Sequence, residues 1–122
     1  MTRLSLPPLH SDFSVDCVIF GFDIDKSELN ILLIERNEAP FKNWKAIPGN
    51  LAYDNEDIDT AANRVLYELT GLKDVYLDQL YSFGRIDRHP QGRVITVAYY
   101  ALIKAKSNGL HPVTSFAKKV YW

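Results

Sequence analysis

Two groups of residues in this sequence could do chemistry. The first is acidic. Asp54, Glu56 and Asp57 lie together in "YDNED", Glu68 follows in "NRVLYELTGL", and Asp87 stands further on. Carboxylate oxygens are the hard donors that Mg²⁺ takes in near-octahedral geometry, and a metal beside a phosphate activates water against it. The more ordinary role of Asp54, Glu56, Asp57 and Asp87 is in solvated turns and at a helix cap. The second group mixes aromatics with cations. Arg36 ends an apolar run, Phe41 and Trp44 follow it, Arg85, Asp87, Arg88 and His89 crowd "RIDRHP", and Tyr99 sits in the run after that. An aromatic floor with charged hydrogen-bonding groups suits a sugar or a ribose-phosphate. Each of these residues also has an ordinary alternative, as a surface charge or a core aromatic.

The elements that must position these groups follow from propensity and period. An extended lead-in spans residues 1–12. "FSVDCVIFGF" (Phe13 to Phe22) is β-branched and aromatic, which predicts a strand, and "DIDKSE" predicts a turn. "LNILLIER" (Leu29 to Arg36) reads as a second, well-buried strand. "NEAPFKNW" is a loop, and "KAIPGNLAYDNED" runs through a Pro-Gly turn into the acidic approach. Ile58, Ala61, Ala62, Val65, Leu66 and Leu69 then recur at helical spacing, which predicts one amphipathic helix from Ile58 to Thr70. Asp57 is placed to cap it, Asp59 sits where the helix dipole favours an anion, and Gly71 suits the left-handed stop. "VYLDQLYSFGRI" (Val75 to Ile86) predicts a long strand or a bent pair. "VITVAYYALIK" (Val94 to Lys104) predicts another strand, and "AKKVYW" begins a last one. The order β-β-loop-α-β-β-(β) predicts an α/β sandwich.

Composition narrows the function. A chain of 122 residues suits one domain with a real core, and a net charge of −1 gives no electrostatic footprint for nucleic acid. The single cysteine, Cys17, cannot form an internal disulfide and reads as a small apolar strand residue. The N-terminus has no apolar signal core and no run approaches a membrane span, so a cytoplasmic protein without membrane contact is expected. His10 and His111 read as surface histidines. Tyr67, next to Glu68, is either packed or fills space near that carboxylate.

The region from Asn50 to Leu72 resembles the Nudix box, G-x5-E-x7-R-E-U-x-E-E-x-G-U, where U is a bulky aliphatic. Without any gap, Glu56, Arg64, Leu66, Glu68, Gly71 and Leu72 meet the pattern. Asn50, Val65 and Leu69 stand where it has glycine and two glutamates. "ILLIER", "WKAIPG", "VAYYALI" and "VYW" follow the Nudix order, so the resemblance runs from about Phe13 to Trp122. It implies an α/β sandwich of Nudix type (α/β/α, with a mixed sheet), truncated at the C-terminus: the family's last strand and C-terminal helix are expected after "VYW". It also implies that Glu56 and Arg64 form a structural ion pair bracing the loop against the helix.

Nudix hydrolases cut a nucleoside diphosphate from another moiety, and the resemblance places their metal-binding glutamates at Val65, Glu68 and Leu69. One carboxylate of three is left, so weak metal binding at Glu68 is expected, no cofactor is required, and Mg²⁺ enters only if the chain is a hydrolase. In that case Glu68 and Glu56 are the catalytic candidates. The stretches "DCVIFGF", "RVLYELTGL", "FGRIDRHP" and "VAYYALI" resemble Nudix-related transcription regulators, most of all their sugar-responsive branch. The leading expectation is a catalytically impaired domain that senses a small sugar or an ADP-ribose-like molecule. It would be homodimeric, and would reach DNA only through a winged helix that these residues lack. The expected ligand contacts are Arg36, Phe41, Trp44, Arg85, Asp87, Arg88 and Tyr99. The alternatives are an active hydrolase with an altered metal site and a domain that only dimerises.

Overall fold

The computed structural model describes residues 9–90, 92–106 and 109–122 of the chain, with side chains from residue 12. Residues 1–8 of the lead-in, and the side chain of His10, lie outside them.

Alternation organises the longest strand, β1 (Leu9–Asp23). Val15, Cys17 and Ile19 are fully buried, while the residues between them are part-exposed. In a strand, such alternation sends successive side chains to opposite faces. The odd-numbered face packs on the helix, where the Cys17 thiol lies 3.5 Å from the Ala62 carbonyl. Burial pushes that thiol up to about 12, so it is inert at neutral pH.

One edge of β1 carries two short strands in succession. β2 (Glu28–Ile31) pairs with its C-terminal half. The other edge carries a later strand in parallel, as described below. β3 (Leu33–Arg36) begins one residue after β2 but belongs to a second sheet with β4 (Lys45–Ala46). The predicted single strand from Leu29 to Arg36 is therefore two strands hinged at the buried Leu32, whose N–H still reaches the Ile19 carbonyl at 2.9 Å. Nor is all of it well buried, since Leu29 is 61% exposed. β5 (Gly49–Tyr53) pairs with the N-terminal half of β1. It falls where the sequence predicts only a turn and an acidic loop, because Pro48-Gly49 masks a run of five residues.

The helix α1 spans Ile58–Thr70 as predicted, burying Ala61, Ala62, Val65, Leu66, Leu69 and Thr70. Gly71 takes the left-handed conformation, φ 81°, and donates its N–H to the Tyr67 carbonyl at 2.8 Å. Asp57 stands at the N-cap but its side chain makes no capping hydrogen bond, and Asp59 is engaged elsewhere, by Tyr99. β6 (Asp78–Phe83) is shorter than the predicted Val75–Ile86 and exposed throughout. β7 (Ile95–Lys104) runs parallel to β1, and β8 (Ala117–Tyr121) pairs with β3. The result is a five-stranded mixed sheet, order β2-β1-β7-β6 with β5 beside β1, and a three-stranded sheet, β4-β3-β8. Among the described residues there is one helix, on one face of the larger sheet. On the opposite face Phe22, Tyr100 and Leu102 stand exposed. No described helix is long and apolar enough to cross a membrane.

Val65 and Leu69 are 0% and 1% exposed, within one cluster that includes Val15, Cys17, Ile19 and Leu32. A carboxylate at either position would lose its water without gaining a partner. Val65→Glu and Leu69→Glu should each destabilise the fold by about 3 kcal/mol or more, measured by urea unfolding. A double variant that unfolds at the wild-type midpoint and binds Mg²⁺ would show instead that this face opens freely.

Candidate ligand cleft and helix brace

Arg64 has every guanidinium nitrogen engaged. Nε donates to both Glu56 carboxylate oxygens at 3.1 and 3.0 Å. Nη2 donates to Glu56 Oε1 at 2.6 Å and to the Leu51 carbonyl at 3.1 Å, and Nη1 donates to Glu68 Oε1 at 3.0 Å. The guanidinium also lies over the Tyr53 ring, 4.0 Å from its centroid. Glu56 Oε1 further accepts the Tyr53 N–H at 2.8 Å. Burial pushes the Glu56 carboxyl up, but the Arg64 and Tyr53 donors outweigh it and hold the group below its usual range.

The helix thus carries two carboxylates, Asp59, bonded by Tyr99, and Glu68, already tied to Arg64. Asp54 and Asp57 are exposed, and Asp87 pairs with Arg85 on the surface. Among the described residues no three His, Cys, Asp or Glu side chains converge where they could hold a cation. This donor set does not fit a Mg²⁺ ion ligated by the protein alone.

The cleft is elsewhere. It has a volume of about 810 Å³ and is walled by β1, the loop after β3, the start of β5 and the turn before β7. Two arginines frame it, and the protein fixes both. Arg36 Nε donates to the Pro40 carbonyl at 2.8 Å. Arg88 Nη2 donates to the Val94 carbonyl at 2.9 Å and to Thr96 Oγ1 at 2.5 Å. Thr96 in turn hydrogen-bonds Ser14 across the sheet at 2.6 Å. Phe41 enters from the loop with φ 65°, a conformation rare for a bulky residue.

Of the residues expected to touch a ligand, Arg36, Phe41 and Arg88 line this cleft together with His89. Trp44 does not line it: it is 64% exposed, and its ring centroid lies 5.2 Å from that of Phe41. Arg85 and Asp87 bond each other in solvent, at 3.2 Å. Tyr99 is placed away from the cleft, for a clear reason. Its strand position faces the helix, so the ring is buried and the hydroxyl donates to Asp59 and accepts from Gln79. Burial and the Asp59 carboxylate push that phenol up to about 12. His111 is exposed and bonds locally to the Gly109 carbonyl, while Tyr67 packs under Lys73.

Sequence reasoning missed Asp12, Ser14, Asp16, Arg93 and Thr96, all of which line the cleft. A signal was available for three of them. Asp12, Ser14 and Asp16 alternate with Phe13, Val15 and Cys17, which assigns them to the face opposite the core.

The brace, the helix and the mixed sheet define a Nudix-type domain, and comparison with known proteins agrees. The NUDIX domain family matches residues 11–118, and the chain belongs to that family. It is 38% identical over 96 residues to an ADPR responsive transcriptional repressor, NtrR, of Acinetobacter baylyi, a match covering 77% of this chain and 38% of the repressor. It is 33% identical over 91 residues to an ADP-ribose pyrophosphatase of Methanocaldococcus jannaschii, covering 75% of this chain and 50% of the enzyme. The chain therefore spans at most half the length of these relatives. Among solved structures, a MutT/nudix family protein from Enterococcus faecalis superposes with a TM-score of 0.84 at 33% identity, over 100% of this chain and 45% of that one. The NUDIX domain of Shewanella oneidensis NrtR, complexed with ADP ribose, superposes with a TM-score of 0.83 at 26% identity, over 93% of this chain and 72% of that one.

Two pH effects of opposite sign follow. Glu56 has a depressed folded pKa, so its contribution is present above the ordinary carboxylate range and is lost as pH falls through the folded value. Arg64→Ala should cost about 2–3 kcal/mol near neutrality, below the 3–5 typical of breaking a fully buried pair, and should flatten the acid limb of a urea-midpoint profile. Asp16 is the reverse case. Burial raises it from 3.8 to about 6, against the opposing charges of Arg88 and Arg36. Between those two values the unfolded chain ionises first, so stability declines as pH rises and the cost is complete above about 6. Asp16→Asn should therefore raise the melting temperature at pH 7.5, with the gain vanishing below pH 3.8.

Proposed function

We propose that this domain is the sensor part of a transcriptional regulator, that its cleft binds an ADP-ribose-like ligand, and that it is catalytically impaired. The observation that carries the reading is the separation of two features. The cleft, framed by Arg36 and Arg88, is open for a phosphorylated sugar, whereas Val65 and Leu69 are core and Glu68 is held by Arg64. Volume favours the larger of the two ligand classes expected. About 810 Å³ lies near the top of the roughly 300–1,000 Å³ usual for small-molecule sites, more than a free pentose fills. The similar repressor is ADP-ribose responsive and the similar NrtR domain is complexed with ADP ribose, which supports the same choice. In this reading the native protein is a cytoplasmic homodimer that reaches DNA through a winged helix outside these residues.

A second reading, an active Nudix hydrolase, is favoured by the 33% identity to an ADP-ribose pyrophosphatase. It would need substrate phosphates to supply most of the ligands of Mg²⁺. Turnover separates the two. With ADP-ribose and Mg²⁺ or Mn²⁺ the chain should hydrolyse far more slowly than the roughly 1–10³ per second of ordinary enzymes. ADP-ribose at 100 times its dissociation constant should stabilise the fold by about 2.7 kcal/mol, read as a thermal shift that arabinose does not produce. Turnover in the ordinary range would overturn the sensor reading, and a shift with arabinose alone would reassign the ligand.

A further inference from the structure

The cleft contains a carboxylate that the fold leaves without a donor. Asp16 lies at mid-strand in β1, paired with Gly49 on one side and Ala98 on the other. Its side chain reaches over Gly49: a Cβ there would stand 2.0 Å from Asp16 Oδ1. Glycine at 49 is therefore what makes room for the carboxylate. Asp16 lines the cleft, yet none of the described hydrogen bonds or ion pairs engages its oxygens. Arg36 and Arg88 act on it through space, with Arg36 Nε and Nη2 turned to Pro40 and Glu38 and Arg88 Nη2 to Val94 and Thr96. A part-buried carboxylate without donors is under-satisfied, and a ligand that supplies them relieves it.

The surroundings select the donor. A cation ligand would stand beside two arginines already in place, and no metal-binding cluster exists among the described residues. Neutral hydroxyls suffer no such repulsion. An ionised carboxylate has two oxygens and no proton, so it accepts from two adjacent O–H groups at once. Any phosphate on the same molecule finds Arg36 and Arg88 alongside. A ligand that joins an anion to a vicinal diol answers both demands.

We propose that Asp16 is the specificity residue of this cleft, accepting hydrogen bonds from the vicinal hydroxyls of a ribose ring whose phosphate lies against Arg36 and Arg88. The assignment rests on the sensor reading and extends it from a ligand class to a contact. It also separates this site from a plain anion site, which would gain nothing from a carboxylate beside its arginines.

The test is calorimetric titration of the chain and its Asp16→Asn variant with four probes: ADP-ribose, ribose 5-phosphate, 2-deoxyribose 5-phosphate and inorganic pyrophosphate. Wild type should prefer ribose 5-phosphate to the 2-deoxy compound by tenfold or more, the size expected for a hydrogen bond to a charged group. Asp16→Asn should erase that preference and weaken ADP-ribose at least tenfold. Pyrophosphate should bind the variant as well as wild type or better, because a repulsive charge has gone. The variant's expected rise in melting temperature guards against reading misfolding as lost affinity. Wild type that binds ADP-ribose but does not discriminate the 2-deoxy sugar, or a variant within twofold of wild type for ADP-ribose, overturns this inference and leaves the sensor reading intact. Wild type that binds no ADP-ribose overturns both.

Discussion

One guanidinium holds the site side of this domain together. Arg64 projects from the middle of the helix and reaches β5 through the Leu51 carbonyl, the connecting loop through Glu56, and the next helical turn through Glu68. A lysine could not replace it, because only a planar fork with five donors meets acceptors in three directions at once. The consequence extends past the helix. Gly49, Asn50 and Leu51 form part of the cleft wall, and β5 is the strand that Arg64 anchors. The Pro48 carbonyl, accepting the Cys17 N–H at 2.8 Å, ties the same segment to β1 from the other side. The wall is thus fixed by a charged brace at one end and a backbone bond at the other.

That arrangement explains how a Nudix domain keeps its shape without the full set of glutamates. The bracing pair and the metal-binding positions share one helix but do different work. Glu56 and Arg64 satisfy each other and the backbone whether or not a cation is near. Val65 and Leu69 point into the interior, where an apolar side chain adds burial worth about 1.5–3 kcal/mol and a carboxylate would need a metal to justify its desolvation. In this chain both positions are core.

Sequence made the helix and its limits legible because period, stop residue and apolar stripe all agree over thirteen residues. It also yielded β1, β7 and β8 to within a few residues. β5 was hidden because its five residues follow a Pro-Gly pair, which reads as a turn whether or not a strand resumes. The division at Leu32 was hidden for another reason: changing sheets alters neighbours, not side-chain alternation. Among the residues lining the cleft, Arg36, Phe41 and Arg88 were legible because charge next to an aromatic is visible in one dimension. Tyr99 was misplaced because strand parity, not residue type, decides which face a tyrosine joins. Asp16 was overlooked inside a run dominated by β-branched neighbours, although parity would have located it.

Parity also governs how this protein is able to vary. Along β1 the odd residues Val15, Cys17 and Ile19 fill the core, the even residues Asp12, Ser14 and Asp16 line the cleft, and the even residue Phe22 further along forms part of the exposed apolar face. Three surfaces are written on one strand in a two-letter alternation. An insertion or deletion within it would exchange core and cleft together, since a slip by one residue turns every side chain over. The cleft lining is therefore open to change by point substitution at even positions and closed to change of length.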